Sequence, residues 1–134
     1  MTTTLFDNGN KKHIRVIVAG GRDFTDYRIL SETLDVVLER YTLTEASIVS
    51  GCCRGADTLG ERYAREHGIP VVRFPADWLA YGKAAGPIRN RKMAEYASEG
   101  EGVLVAFWDG RSRGTASMIR LAEKYGLQTK IITY

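Results

Sequence analysis

Glycine and arginine recur together at four places in this sequence, and both residue types are suited to binding an anion. The segments are residues 20–23, 51–57, 86–91 and 108–115. Glycine lets the backbone approach a ligand closely, free N–H groups at helix starts attract anions, and arginine offers a two-pronged donor to phosphate. The four segments therefore predict a site for an anionic ligand, most simply a phosphate.

The candidate ligand-binding residues lie within these segments or at the end of the strand-like run before one of them. They are Gly20, Gly21, Arg22, Asp23, Ser50, Gly51, Arg54, Gly55, Asp57, Pro87, Arg89, Asn90, Arg91, Trp108, Asp109, Gly110, Arg113, Gly114 and Thr115. The alternative is that the arginines only form ion pairs with Asp23, Asp57 and Asp109. No residue is assigned a catalytic role.

Three aromatic residues, Trp78, Tyr81 and Trp108, lie in or beside the same segments. An aromatic side chain in such a place can stack on a nucleotide base. Packing in the core or in a subunit interface explains a tryptophan equally well, so both interpretations stay open.

Common nucleotide-cofactor motifs are absent from the sequence. The glycines at Gly20 do not continue as G-x-G-x-x-G, and no G-x-x-x-x-G-K-[ST] segment is present. The second strand-like run ends in Ser50-Gly51, without the acidic residue that holds the ribose of a dinucleotide. These absences argue against a redox NAD enzyme and against P-loop NTP hydrolysis, and we predict no cofactor.

Metal binding is equally poorly supported by the sequence. The only histidines are His13 and His67, and the adjacent Cys52 and Cys53 lack the spacing of a zinc knuckle. We therefore predict no metal site. The cysteines are expected to fill space in a turn, with a reactive thiol beside Arg54 as the alternative.

Strand-like and helix-like patterns alternate along the chain, which predicts a sheet flanked by helices. The strand-like runs are residues 14–19, 47–50, 70–74, 103–107 and 128–133. A helix follows each of the first two runs, a long loop through residues 78 and 81 leads to a third helix that begins near Pro87, and a fourth precedes the last run. Gly68 and Gly126 are expected to end two of the helices.

These elements predict an α/β fold of Rossmann-like type, a three-layer sandwich around a five-stranded parallel sheet. Right-handed crossovers favour the strand order 3-2-1-4-5, which places the first and fourth strands side by side. Ligands of such sheets bind beyond the carboxyl ends of the strands, where the glycine- and arginine-containing segments lie.

Length and composition fit one domain without a membrane-spanning segment. The chain has 134 residues, a net charge of +3, and no apolar stretch long enough to cross a bilayer. Residues 1–13 read as a flexible polar tail and residues 14–134 as the domain. The tail has no apolar signal-peptide core and the two cysteines form no disulfide framework, so we expect a cytoplasmic protein.

The order of four motifs resembles the SLOG superfamily, in particular its small stand-alone YspA-like (YAcAr) branch. The motifs are GGRDF, SGxxRGAD, GPIRNRKMAEYA and GRSRGTASM, and the resemblance covers residues 14–134. It implies a Rossmann-like fold and a nucleotide or nucleotide-derived ligand. Relatives include lonely-guy-type phosphoribohydrolases and a DNA-processing protein of natural transformation. Relatives also commonly dimerise through helices, which leaves a homodimer open.

The resemblance assigns site residues by position. Gly20 and Gly21 would form the first ligand loop, and Ser50, Gly51 and Gly55 would form the second. Arg89 or Arg91 would be the basic residue that precedes the fourth strand. Gly110, Gly114 and Thr115 would match the phosphate-binding P-G-G-x-G-T segment, although this chain has a longer segment without the proline.

One departure from the phosphoribohydrolases concerns catalysis. Those enzymes carry a glutamate shortly after Gly-Thr, where this chain has Ala116, Ser117 and Met118. We therefore expect a ligand-binding domain that acts as a sensor or as a component of nucleotide metabolism. A hydrolase of nucleotide N-glycosidic bonds is one alternative, and a nucleic-acid-binding module, suggested by Arg89, Arg91 and Lys92, is another.

Overall fold

The computed structural model describes residues 13–134, which form a five-stranded sheet with helices on both faces. The strands are β1 (Ile14–Gly20), β2 (Ala46–Ser50), β3 (Val71–Arg73), β4 (Glu101–Trp108) and β5 (Gln128–Thr133). The helices are α1 (Tyr27–Leu38), α2 (Ala56–His67), α3 (Trp78–Tyr81), α4 (Ala85–Ser98) and α5 (Arg113–Lys124), with 3₁₀ turns at Leu43–Glu45 and Gly82–Ala84.

All strand pairs are parallel, and the strand order is β3-β2-β1-β4-β5. The predicted three-layer Rossmann-like architecture and its strand order are thus confirmed. Strands β1 and β4 pair along seven residues, from Ile14 opposite Glu101 to Gly20 opposite Phe107. Strands β2 and β3 are added on one side of β1, and β4 and β5 on the other. Parallel sheets bind ligands beyond the carboxyl ends of the two strands where this switch occurs.

Successive side chains of the central strands point to opposite faces of the sheet, so the core is divided between the two faces. Val16 and Val18 pack with α1 and α2 on one face, and Ile17 and Ala19 pack with α4 and α5 on the other. Strand β4 is buried from Val103 to Phe107 because helices cover both of its faces. The helices are thereby fixed against the sheet, and their N-termini lie at its carboxyl edge.

The segment between β3 and α4 differs from the predicted long loop. It contains the short helix α3, whose N-cap Asp77 accepts a hydrogen bond from the backbone nitrogen of Ala80 at 3.1 Å, followed by a 3₁₀ turn. Helix α4 begins at Ala85, so Pro87 lies in its first turn as expected. Residues 89–91 belong to this helix and not to a loop.

The proposed tail falls almost entirely on residues 1–12, which lie outside the described residues, and its boundary with the domain stays a prediction. Within residues 13–134, none of the helices has the length and apolar character needed to cross a membrane.

A close backbone contact joins the loop after β1 to the start of α2. The carbonyl oxygen of Gly21 accepts hydrogen bonds from the backbone nitrogens of Phe24 and Ala56, both at 3.2 Å. Gly55 has a φ of +83°, and a Cβ there would lie 2.7 Å from the backbone of Arg22 and closer still to the Gly21 carbonyl. A residue without a side chain is therefore required at this contact.

We predict that Gly55→Ala destabilises the fold much more than Gly110→Ala. Gly110 also has a positive φ of +82°, but a Cβ there meets nothing within 4 Å, so only the backbone strain of about 1 kcal/mol applies. Gly55→Ala adds a clash with backbone atoms, and we expect a total loss of about 3 kcal/mol or more. Urea unfolding followed by circular dichroism measures both, and equal losses would contradict the steric role of Gly55.

Candidate ligand-binding site

A cleft of about 170 Å³ lies at the carboxyl end of β1, between helices α4 and α5. Its walls come from the end of β1, the loops after β1, β2 and β4, and the first turns of the two helices. The lining residues are Ala19, Gly20, Arg22, Cys53, Asp57, Arg89, Asn90, Met93, Ser112, Gly114, Thr115 and Met118. The cleft therefore lies where the strand order predicts a ligand site.

Arg89 links two walls of the cleft through hydrogen bonds. Its Nη1 donates to the carbonyl oxygen of Gly51 at 2.5 Å, and its Nε donates to Oδ1 of Asn90 at 2.9 Å. The buried Asn90 side chain in turn donates from Nδ2 to the carbonyl oxygen of Gly114 at 3.3 Å. This chain of bonds ties the loop after β2 to the start of α5 and fixes the guanidinium in the cleft wall.

Asp57 places a buried carboxylate in the same wall. Its Oδ2 accepts a hydrogen bond from the backbone nitrogen of Cys53 at 3.2 Å. Burial raises the pKa of Asp57 from 3.8 to about 6, although the Cys53 hydrogen bond and the nearby Arg89 charge act in the opposite direction. The net charge of the cleft therefore changes in the mildly acidic range.

The two cysteines lie in the tight turn between β2 and α2. Cys52 has a φ of +67°, and its backbone nitrogen donates to Oγ of Ser50 at 3.1 Å. Ser50 is buried and its hydroxyl donates to Glu61 at 2.6 Å, which anchors the turn to α2. The turn directs Cys53 into the cleft wall, with its sulfur 3.9 Å from Nη1 of Arg89.

The loop after β4 is shaped by its own side chains. Asp109 accepts hydrogen bonds from the backbone nitrogens of Arg111 and Ser112, each at 2.8 Å, and these bonds lower the pKa of its carboxyl group. The indole nitrogen of Trp108 donates to the carbonyl oxygen of Ser112 at 3.1 Å. Ser112 then caps α5 by accepting from the backbone nitrogen of Thr115 at 3.3 Å. Trp108 and Asp109 thus position the start of α5 against the cleft.

The arginines of this region do not pair with the nearby aspartates. Among residues 13–134, Arg22, Arg54, Arg89 and Arg113 take part in no ion pair. Asp23 accepts a hydrogen bond from the Tyr134 hydroxyl, Asp109 is bound to backbone nitrogens, and Asp57 accepts from Cys53. Within the part of the chain that the structure describes, these arginines form no direct ion pair with the three aspartates, although the Arg89 charge acts on Asp57.

The sequence-predicted residues fall into four groups. The cleft brings together Gly20, Arg22, Asp57, Arg89, Asn90, Gly114 and Thr115. A supporting group behind the walls or within the loops consists of Gly21, Asp23, Ser50, Gly51, Gly55, Trp108 and Asp109. Arg54, Gly110 and Arg113 are exposed in the loops after β2 and β4 and at the first turn of α5.

Pro87 and Arg91 form the fourth group, because they line a separate outer groove between α4 and α5. The cleft walls also contain Cys53 and Ser112, which the predicted set omits. Cys53 lies within the glycine-rich segment 51–57, and Ser112 is a capping-type residue three positions before Thr115, so both were open to prediction.

The family model of the YspA, cpYpsA-related SLOG family (YAcAr) matches residues 14–81. The Gene 61 protein of Mycobacterium phage D29 is 37% identical over 120 residues, which cover 84% of this chain and 91% of that protein. The chain belongs to the YAcAr family. The predicted membership of the SLOG superfamily is thus confirmed.

The YAcAr fold is also similar to two solved structures of DNA processing protein A. The protein from Streptococcus pneumoniae matches with a TM-score of 0.68 and 19% identity, over 88% of this chain and 50% of that one. The protein from Helicobacter pylori, whose structure describes its single-stranded DNA binding mode, matches with a TM-score of 0.63 and 22% identity, over 96% of this chain and 67% of that one. The chain thus spans half of the first structure and about two thirds of the second, and at this identity the likeness concerns the fold.

We predict that an anion binds the YAcAr cleft more tightly as the pH falls through about 6. Protonation removes the negative charge of Asp57, and one unit charge about 4 Å away changes binding by about 1–4 kcal/mol. The pKa of Asp57 is higher in the folded protein than its ordinary value of 3.8, so ionising Asp57 also lowers the free energy of unfolding. This loss is absent below about pH 4, where Asp57 is protonated in both states, and is complete well above pH 6.

The measurement is the dissociation constant of cyclic AMP, a phosphodiester whose charge is constant from pH 5 to 8, for the wild type and Asp57→Asn. The wild type should gain affinity on acidification and the variant should show a flat profile. Parallel profiles would mean that Asp57 does not face the bound anion.

Proposed function

We propose that the protein binds a nucleotide or nucleotide-derived phosphorylated ligand, with a phosphate in the cleft, as a sensor or as a component of nucleotide metabolism. The observation that carries the proposal is the presence of Arg22 and Arg89 in the walls of one cleft, with no ion-pair partner for either within residues 13–134. A guanidinium without a carboxylate partner is available to a phosphate.

The start of α5 supports the same ligand chemistry. The cleft is lined by Ser112, Gly114 and Thr115 at the first turn of this helix. Backbone N–H groups and the helix dipole favour negative charge there. Gly114 has open space around its Cα, so a ligand can approach the backbone without meeting a side chain.

We predict that AMP stabilises the protein and adenosine does not, because the phosphate provides the contact with Arg22 and Arg89. Arg22→Gln should weaken AMP binding by about 1.5–3 kcal/mol, the range for hydrogen bonds to charged groups. Arg22 is exposed, and its side chain forms no ion pair within residues 13–134. The variant therefore removes the charge with little effect on folding.

Calorimetric titration gives the dissociation constants, and thermal denaturation at 100 times the dissociation constant should show about 2.7 kcal/mol of stabilisation. Arg40→Gln is the matched control, since Arg40 is an exposed arginine in a groove with residues of the amino ends of β1 and β4. Equal affinity for adenosine and AMP, or equal losses in the two variants, would count against an anion site.

A single-stranded nucleic acid is the second candidate ligand. Three further arginines, Arg54, Arg111 and Arg113, are exposed in the loops beside the cleft, and such a basic rim can follow a phosphate backbone. The Helicobacter pylori protein of similar fold binds single-stranded DNA. Titration with a dT15 oligonucleotide separates the candidates, because a strand across the rim would bind more tightly than AMP and with a steep dependence on salt.

Catalysis of N-glycosidic cleavage has little support in the cleft. Of the described residues that line it, Asp57 is the one carboxylate. Asp23 and Asp109, the other acids considered as substitutes for the missing glutamate, are held by Tyr134 and by backbone nitrogens. Asp57 is buried and accepts a hydrogen bond from the backbone nitrogen of Cys53, so the one carboxylate of the cleft is already engaged in the protein and is the only candidate general base among the described lining residues.

We predict little or no release of free base from nucleoside monophosphates. A positioned acid or base contributes about 10²- to 10⁴-fold to the rate, so its absence should leave a trace activity at most. Chromatography of a long incubation with AMP, GMP, CMP and UMP measures the product. Rapid release would refute the binding-only proposal, and loss of that activity in Asp57→Asn, but not in Asp109→Asn, would then identify the carboxylate.

A further inference from the structure

A second cavity of about 320 Å³ lies beside the cleft and shares Arg89 with it as a wall. It is formed by the segment after β3, the short helix α3 and the outer side of α4. Its lining includes Arg73, Phe74, Tyr81, Ile88 and Lys92. We call it the side cavity, and its walls combine aromatic rings with cations.

The cleft is small for a whole nucleotide. Binding sites for small molecules usually have volumes of about 300–1,000 Å³, and the cleft has about 170 Å³. It has room for a phosphate and part of a sugar, whereas the cleft and the side cavity together fall within the usual range. The outer groove between α4 and α5 shares no lining residue with the cleft, so the side cavity is the adjoining space.

The walls of the side cavity are suited to an aromatic base. Tyr81 lines the cavity and is 51% exposed, so part of this residue is open to solvent. Phe74 packs against the Tyr96 ring, with the two centroids 5.5 Å apart, and is fixed in place. Ile88 supplies an apolar floor. Bases stack on such rings whatever their hydrogen-bonding pattern.

The side cavity is lined by three cations, Arg73, Arg89 and Lys92, and by one carboxylate, Asp77, which caps α3. Its positive balance favours a ligand that carries a negative charge nearby. Lys92 is exposed and takes part in no ion pair within the part of the chain that the structure describes. Arg73 is held by Glu61 through Nε and Nη2, at 3.2 and 3.0 Å, so its guanidinium is fixed in the wall. Lys92 lines the side cavity, and Arg89 lines both the side cavity and the cleft.

We propose that the side cavity is the base-binding subsite, with the base stacked on Tyr81 and the phosphate in the cleft across Arg89. This inference rests on the proposed function, because it needs a phosphate in the cleft. It makes α3 part of the ligand site, so the aromatic segment between β3 and α4 determines how strongly a base adds to phosphate binding.

The test compares AMP, GMP, CMP and UMP with ribose 5-phosphate, which has the same phosphate and sugar without a base. Calorimetry on the full chain should give at least one nucleotide that binds about tenfold more tightly than ribose 5-phosphate, the effect of one stacked base. Tyr81→Ala should abolish that advantage and leave the affinity for ribose 5-phosphate unchanged, and Tyr81→Phe should retain it. Leu79→Ala is the matched control, because Leu79 is a fully exposed apolar residue of the same helix.

The outcomes separate this inference from the proposed function. If ribose 5-phosphate binds as tightly as every nucleotide, or if Tyr81→Ala keeps the base advantage, the base subsite is wrong while the phosphate site stands. If neither ribose 5-phosphate nor any nucleotide binds the wild type, the proposed function fails and the subsite fails with it. An equal loss in Leu79→Ala would assign the effect to the folding of α3 and would also overturn the stacking role.

Discussion

The contact between the backbones of Gly21 and Gly55 determines where the other parts of the site can lie. The Gly21 carbonyl holds the first amide of α2, so the loop after β1 and the loop after β2 are pressed together without any side chain between them. Helix α2 then starts directly behind the cleft, and both Cys53 of the preceding turn and Asp57 of the first helical turn line the cleft. Hydrogen-bonded backbone at this depth is rigid, because its polar groups have no alternative partners.

Helix α4 completes the site from the other side of the sheet. Met93, Ala94 and Ala97 are buried against the strands, and this packing holds Arg89 and Asn90 at the carboxyl edge. The guanidinium is thus held in place by packing and by two hydrogen bonds before any ligand arrives, which lowers the entropic cost of binding. The buried carboxyl group of Asp57 lies nearby and has a pKa of about 6. The net charge of the site therefore depends on whether Asp57 is protonated.

Sequence patterns were sufficient for the strands, their order and the sheet edge at which many of the candidate residues lie, since alternating strands and helices leave few topologies. They were insufficient within helix α4, where Pro87 and Arg91 face the outer groove and Arg89 and Asn90 face the cleft. Helical periodicity separates these positions only once the helix bounds are known. Cys53 and Ser112 were left out of the predicted set although the glycine-rich segment and the capping pattern pointed to them. Helix α3 was missed because a helix of one turn leaves no periodic pattern.

Some residues of the candidate site support its backbone and others are exposed, and this difference determines which positions can change during evolution. Gly55 cannot change without disturbing the backbone of the site, a side chain at Gly21 would displace Tyr134 and Asp23, and Ser50 anchors the turn after β2. Arg54 and Arg113 are exposed, and they have no hydrogen-bond or ion-pair partner among residues 13–134. Substitutions at these exposed positions alter charge and shape at the mouth of the cleft at little cost in stability. The chemistry at the mouth of the cleft can therefore diverge on an unchanged framework by exchange of a few side chains.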